Sequence, residues 1–303
     1  MSKIAVLMST YNGERYISEQ IDSILRQKVD GHIDLWVRDD GSLDKTQSIL
    51  REYSKSNKLN WYTGENLGPA KSFIDMLSHC GDYDYYAFSD QDDVWNDNKI
   101  AAAIKYLNSH EEPAIYCSNA ELVDKNLNTL NQYCNKFIPQ YNLAGVLIGG
   151  GIQGATMVFN RALALEIVRR KIPEFISMHD YYISVVCLSV GGNIIYDANS
   201  YMKYRQHENN VIGVDKRIGS TIKNRIAIIL NENKFFDIEK TSKQIVEMYR
   251  DQIPQKELEV LQCAMNYKHN LSSRIQLALY KGIGLGRLNM SLAERLSVLL
   301  GKV

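Results

Sequence analysis

Four short apolar runs in the first ninety residues each stop at a polar loop, and helical periodicity follows each of the first three. Ile4 to Met8 ends at Ser9-Thr10-Tyr11-Asn12-Gly13, before a helix pattern with Ile17, Ile21, Ile24 and Leu25 on one face. Ile33 to Val37 ends at Asp39-Asp40-Gly41-Ser42, with Ser42 expected to cap a helix carrying Ile49, Leu50 and Tyr53. Leu59 to Tyr62 leads through Glu65-Asn66-Leu67-Gly68-Pro69 into a helix with Ala70, Phe73, Ile74 and Leu77. Tyr85 to Phe88 ends in Ser89-Asp90-Gln91-Asp92-Asp93-Val94-Trp95. This alternation predicts an α/β fold, a doubly wound and mostly parallel sheet whose ligand lies outside the carboxyl ends of the strands.

Asp is disfavoured in strands, so the carboxylates at 90, 92 and 93 mark such an end. Asp90 and Asp92, two apart, can share one hard divalent cation, and three close carboxylates repel one another unless a cation or donors intervene. A lone Asp-x-Asp arises by chance in many chains. Here Thr10 and Asn12, Asp39 and Asp40, and Asp90 to Asp93 all fall at ends of strands expected to share one rim, which suits a nucleotide. Neither G-x-G-x-x-G nor G-x-x-x-x-G-K-[ST] occurs, so a dinucleotide or P-loop site is unsupported.

Lys and Arg total 35 against 35 Asp and Glu, which leaves no global field for nucleic acid. Five scattered cysteines without a C-x-x-C pair suggest reduced thiols. No apolar run approaches the ~20 residues of a membrane span, and the N-terminal run is too short for a signal peptide. The expectation is an intracellular protein not integral to a membrane.

After residue 114 the rhythm changes. Ala114 to Cys117 reads as a strand, and 118–142 as mixed and polar. The glycines at 149, 150, 151 and 154 lead into a strand; close backbone approach and a plain turn are both open there. Arg161 to Arg170 reads as helix, and Met178-His179-Asp180-Tyr181-Tyr182 opens another running to Val190. Asp180 is either a helix N-cap or a general base at a rigid helix start. Ile194 to Tyr196 and Met202 to Arg205 read as short strands before Arg205-Gln206-His207-Glu208-Asn209-Asn210, where His207 taken alone is an ordinary surface histidine. From Lys216 the pattern is helical. From 268 on, six cations (Lys268, Arg274, Lys281, Arg287, Arg295, Lys302) face one acid, Glu294, among many Leu and Ile. Such a tail fits an anionic membrane surface or a helical subdomain folded on the core, and Gly282, Gly284 and Gly286 split it into two short helices.

Over residues 3 to about 213 these motifs, in this order, resemble family 2 glycosyltransferases of the GT-A fold. The carriers are Ser9 to Gly13, Asp39 to Ser42, Glu65 to Pro69, Ser89 to Trp95, Met178-His179-Asp180 and Tyr204-Arg205-Gln206-His207. Within that family the chain looks most like bacterial α-1,3-rhamnosyltransferases of cell-wall and capsular polysaccharide synthesis, except that Tyr181-Tyr182 stands where those often carry Trp. That departure bears on acceptor or sugar preference.

The resemblance implies a GT-A domain over 1–213, with a nucleotide half (1–113) and an acceptor half (114–213), followed by a helical region (214–303). It also implies roles. Asp40, with Asp39 beside it, would contact the base, and Thr10 and Asn12 would line its pocket. Asp90 would hold the ribose, with Tyr11, Asn66, Lys71 and Gln91 as further nucleotide-sugar contacts. Asp92 and His207 would hold Mn²⁺ or Mg²⁺ at the diphosphate, Asp180 would be the catalytic base, and Arg205 would help neutralise the leaving group. The implied donor is dTDP-rhamnose or a UDP-hexose, and the implied acceptor a lipid-linked glycan at the inner membrane face. A homodimer is compatible with the sequence. A noncatalytic nucleotide-sugar-binding subunit is the rival reading, against which the clustered carboxylates argue.

Overall fold

The computed structural model describes residues 1–207 and 236–303 of the 303-residue chain, apart from the side chains of Leu288 and Asn289. The chain forms two compact units. The first comprises Met1–Phe137, Gln153–Ile172 and the described residues from Ile195; the second comprises Ile138–Ile152, Pro173–Ile194 and the described residues of the C-terminal region. Spatially, therefore, 138–152 and 173–194 group with the helical tail, whereas a division of the sequence at 213 separates them from it.

The first unit is built on a nine-stranded mixed sheet. Its strands are β1 (Ser2–Thr10), β2 (Gly31–Asp39), β3 (Asn60–Thr63), β4 (Tyr85–Ser89), β5 (Val94–Trp95), β6 (Ala114–Val123), β7 (Thr129–Tyr133), β8 (Val158–Asn160) and β9 (Asn193–Arg205). The spatial order is β3-β2-β1-β4-β8-β6-β9-β5, with β7 on β6. The first four pair in parallel, as the alternation predicts; beyond β4 the pairing is antiparallel (β4 with β8, β8 with β6, β6 with β7, β5 with β9). Central β1 and β4 are buried along their apolar runs because helices cover a parallel sheet on both faces. Helices α1 (Ile17–Leu25), α2 (Thr46–Lys55), α3 (Gly68–His79), α4 (Lys99–Leu107) and α6 (Arg161–Val168) lie in this unit, while α5 (Leu143–Gly149) belongs to the second.

Several local expectations need correction. Ser42 does not cap α2: its hydroxyl accepts from Asn12 N–H at 2.8 Å, and the start of α2 is held instead by Asp44, whose Oδ1 accepts from Thr46 N–H at 2.9 Å. Leu25 closes α1 on its exposed side. The two short strands expected at 194–205 are one strand, β9. Its polar centre is tolerated because buried Asp197 accepts from the Tyr116 and Tyr201 hydroxyls, each at 3.1 Å.

The second unit is helical, with α5, α7 (His179–Ser189), α8 (Ile238–Tyr249), α9 (Gln255–Asn266), α10 (Leu271–Leu279) and α11 (Leu288–Leu299). The glycines at 149–151 close α5 and admit side chains. Gly150 has φ +66°, and a Cβ there would meet the Phe236 ring at 2.8 Å; one at Gly149 would meet Glu294 Oε1 at 2.9 Å. Tyr181 and Tyr182 are both buried in this unit, bonded to Leu147 O at 3.1 Å and to the Tyr249 hydroxyl at 3.0 Å. They are core residues of this unit. Glu208 to Asn210 and the expected helix start at Lys216 lie outside the described residues. Among the described residues no helix is long and apolar enough to cross a membrane.

Candidate active site

Asp92 and His207 meet. His207 follows β9 and Asp92 sits in the loop between β4 and β5, yet Nε2 and Oδ2 are 2.7 Å apart across 115 residues of sequence. The antiparallel pairing of β5 with β9 produces this juxtaposition, since it lays the end of β9 beside the acidic loop.

Arg205 fixes the arrangement. It is only 1% exposed. Its Nε donates to Asp92 O at 2.7 Å, one terminal nitrogen to Lys125 O at 2.8 Å, and the other pairs with Glu19 of α1. Its backbone N–H donates to Asp93 Oδ1 at 3.0 Å. A guanidinium so engaged positions the loop. Tyr16 completes the support: its ring stacks on His207 with centroids 5.2 Å apart, and the Arg205 guanidinium lies 4.3 Å from the Tyr16 centroid.

Helix α1, and Gln27 just past its end, hold the acidic loop and the segment after it through polar side chains. Buried Gln20 donates to Ser89 Oγ at 2.6 Å, Ser23 Oγ accepts from Trp95 N–H at 3.0 Å, and Gln27 donates to Asn96 O at 2.7 Å and accepts from Ile100 N–H at 3.0 Å. Glu19, Gln20, Ser23, Gln27 and Tyr16 are residues that sequence reading missed. The available signal was polar side chains at helical spacing on the face that Ile17, Ile21 and Ile24 bury.

Electrostatics mark the loop as over-supplied with negative charge. Burial, then Asp92 and Asp90, raise Asp93 well above the usual carboxylate range. Burial, then Asp90 and Asp93, raise the Tyr204 hydroxyl, and burial with Asp93 pushes the Cys134 thiol up to about 12. Buried Lys99, donating to Ala155 O at 2.7 Å over the Trp95 ring, is itself driven well below its ordinary value by desolvation, so it compensates weakly.

The donor set fits a divalent cation, although among the described residues no group of three or more protein ligands converges. Ions of this kind keep waters and substrate phosphates and need only one or two protein ligands. Asp92 Oδ2 and His207 Nε2, 2.7 Å apart, are the two side-chain atoms that would ligate such an ion.

The loops after β1, β2 and β4 are ordered by one another. Gln91 Oε1 accepts from Thr10 Oγ1 at 2.5 Å and from Tyr11 N–H at 3.0 Å, and its amide donates to Tyr11 O at 3.2 Å. A Cβ at Gly13 would collide with Gln91 and lie 2.9 Å from Thr10 Oγ1. Asn12 Oδ1 accepts from Leu43 N–H at 2.9 Å, which fixes the Asp39–Ser42 turn beside the first loop. Asn66 is exposed and accepts from Gly68 N–H at 3.1 Å; Lys71 is half-buried in the first turn of α3.

Asp39 and Asp40, adjacent in sequence, are engaged differently by the protein. Asp40 is buried against Arg38 and also accepts from Leu67 N–H, Gly68 N–H and Ser72 Oγ at 2.8 to 3.0 Å. Both its oxygens are engaged by the protein. Asp39 Oδ2 accepts from Ser42 N–H, Gln47 Nε2 and Thr63 Oγ1, whereas its Oδ1 is buried with no hydrogen-bond partner among the described residues. A buried carboxylate oxygen without a donor is costly, and a ligand N–H would relieve it.

Asp180 lies in the second unit. It is buried as the second residue of α7, its Oδ1 accepting from Tyr181 N–H at 2.7 Å, while Met178 occupies the cap position. It is therefore not the N-cap. Its neighbour His179 is held neutral, its pKa lowered to about 3 by burial.

Comparison with known proteins bears on this arrangement. The model of glycosyl transferase family 2 matches residues 5–165. The dTDP-rhamnosyl transferase RfbG of Shigella flexneri is 31% identical over 240 residues, 74% of this chain and 80% of that protein. The Escherichia coli UDP-Glc:alpha-D-GlcNAc-diphosphoundecaprenol beta-1,3-glucosyltransferase WfgD is 29% identical over 184 residues, 59% and 67% of the two chains. Among solved structures, S. aureus TarS 1-349 with UDP-GlcNAc superposes with a TM-score of 0.57 at 17% identity, over 92% of this chain and 76% of that one. A Pyrobaculum calidifontis mannosyltransferase with GDP-Man and Mn²⁺ gives 0.50 at 15% identity, over 99% and 86%. The structural likeness is that of the GT-A fold. Matched by the family model over more than half its length and 31% identical to a dTDP-rhamnosyl transferase, the chain belongs to glycosyl transferase family 2 and is rhamnosyltransferase-like.

Proposed function

We propose that this glycosyltransferase moves L-rhamnose from dTDP-β-L-rhamnose, with inversion, to a hydroxyl of a lipid-linked polysaccharide precursor at the inner face of the plasma membrane. The observation that carries the reading is the pairing of Asp92 with His207 at the end of the sheet. The likeness to a dTDP-rhamnosyl transferase supports the donor. Asp39 Oδ1 would accept the imide N–H of the base, a donor that thymine and uracil share, and Asp90 would hold the ribose. Thr10, Tyr11, Asn12 and Gln91 shape the loop over which the nucleotide would lie, with Asn66 and Lys71 on the neighbouring loop and helix.

Asp92 and His207 would hold Mn²⁺ or Mg²⁺, which when bound supplies Lewis-acid stabilisation of charge on the leaving diphosphate. Asp180 would take the acceptor's hydroxyl proton as that oxygen bonds to the anomeric carbon. The bond from that carbon to the diphosphate breaks on the opposite face, and the nucleoside diphosphate leaves with the electron pair. Arg205 and Tyr16 keep His207 aimed at Asp92 throughout.

The relative named for UDP-Glc favours a second reading, the same chemistry with a UDP-hexose, because Asp39 Oδ1 cannot separate the two pyrimidines. A thermal-shift screen of dTDP- and UDP-sugars with Mn²⁺ separates them, since the bound donor stabilises the fold by mass action. Product NMR should then show an α-linked rhamnoside. Stabilisation by a UDP-hexose and not by dTDP-rhamnose would transfer the assignment to the second reading, and stabilisation by no nucleotide sugar would defeat both.

A further inference from the structure

The last two helices are built inside out. On α10, Leu271, Ile275 and Leu279 recur at four-residue spacing and so share one face, and all three are exposed, Leu271 at 66% and Leu279 at 71%. The opposite side buries Leu277, and the small Ala278 is buried at the edge of the leucine face. On α11, Leu292, Leu296 and Leu299 are exposed, Leu292 at 70%, while Ser297 beside them is buried at 3%. A surface helix of a globular protein ordinarily turns its leucines inward and its serines out.

These faces are held in place rather than frayed. Arg295 donates to Ala278 O and to Tyr280 O at 2.9 Å, and Arg274 donates to Leu299 O at 3.3 Å and Lys268 O at 2.7 Å, so two arginines tie α10 to α11. Carbonyl acceptors leave the arginine charge in force. Residues 268–303 carry six cations and one acid, a net +5, so the remaining 267 residues carry 29 cations and 34 acids, a net −5. The chain is neutral only as a sum, and its positive end coincides with its exposed leucines.

We propose that the exposed faces of α10 and α11 form the surface that binds an anionic lipid bilayer, with the leucines entering the headgroup boundary and the cations meeting lipid phosphates. The assignment deepens the membrane-peripheral part of the proposed function and rests on it. An anionic bilayer satisfies both features together: apolar side chains need a boundary to enter, and net positive charge needs anions. A second copy of the chain satisfies only the first, because an isologous contact through this face sets like charge against like, even with Lys268 paired to Asp237 and Glu239. Since no described helix can span a bilayer, the contact is one of lying on the surface.

Flotation of the full chain with vesicles of equal parts phosphatidylglycerol and phosphatidylethanolamine tests the proposal, with phosphatidylcholine vesicles as the neutral control. Wild type should float with the anionic vesicles at low salt and fall away at high salt. Leu271→Glu/Leu279→Glu/Leu292→Glu should lose association by about 10-fold or more, and Lys281→Glu/Lys302→Glu by several-fold. Wild type that fails to float refutes the peripheral reading and this face together. Wild type and leucine variant floating alike refutes the face and leaves the peripheral reading standing. A dimeric wild type whose leucine variant is monomeric, with flotation unchanged, assigns the face to self-association and refutes the proposal. Should the Glu variants misfold, hydrogen exchange on vesicle-bound wild type decides the matter: protection over 271–279 and 288–299 supports the face, and unchanged exchange there overturns it.

Discussion

His207 Nε2 lies 2.7 Å from Asp92 Oδ2, and Arg205, two residues before His207, ties the end of β9 to the acidic loop by bonding Asp92 O and Asp93 Oδ1. Removing the imidazole should therefore differ from loosening its support. His207→Ala is expected to abolish Mn²⁺-enhanced donor binding in calorimetry. Arg205→Lys keeps the charge but loses the planar fork, and should weaken Mn²⁺-dependent binding by about 10–100-fold, the usual effect of disturbing a ligand's support. Unaltered Mn²⁺ dependence in both variants would remove the metal from this site.

Asp180→Asn keeps the size and the acceptor of the Tyr181 N–H bond but cannot take a proton. It should bind donor as the wild type does and slow transfer by ~10²–10⁴-fold, the range that a positioned base contributes. Transfer at the wild-type rate would strip Asp180 of the role.

Much of the first unit was legible because its physics is local. β1 and β4 are buried on both faces, so their sequences are unbroken apolar runs, and the helices between strands keep their period. The antiparallel half was less legible, since β9 carries Asp197 and Asn199 in mid-strand and those are tolerated only through partners far along the chain, notably Tyr116. Asp39 and Asp40 illustrate a signal present but unread. Side chains two apart on a strand point the same way, so Arg38 and Asp40 were placed to pair while Asp39 faced elsewhere. The Asp92–His207 contact depends on pairing between β5 and β9, which no local pattern encodes.

That alternation gives a paired test. Asp40→Asn takes one of two carboxylates from buried Arg38, the other being Asp75, and should cost about 1–3 kcal/mol of stability. Asp39→Asn is expected to leave stability closer to wild type, because its amide oxygen can still accept from Ser42, Gln47 or Thr63. It should weaken dTDP or UDP binding by roughly 10-fold or more, the worth of a charge-assisted hydrogen bond. Melting curves and nucleotide calorimetry on the two variants check this, and a reversed pattern would make Asp40 the base contact.

Asp93 makes a prediction in pH. Its pKa in the folded state is raised from the usual 3.8, chiefly by burial and then by Asp92 and Asp90. Above the unfolded value the native protein thus binds the proton more tightly than the unfolded chain does. Stability from this group is present below about pH 4 and falls as pH climbs toward the raised value. Asp93→Asn retains an oxygen for the Arg205 N–H and has no proton to lose. With metal chelated, variant and wild type should melt alike near pH 4, and the variant should gain on the wild type as pH rises. A difference in melting temperature that stays flat with pH would mean that Asp93 ionises normally, and that Lys99 compensates it more fully than its own desolvation suggests.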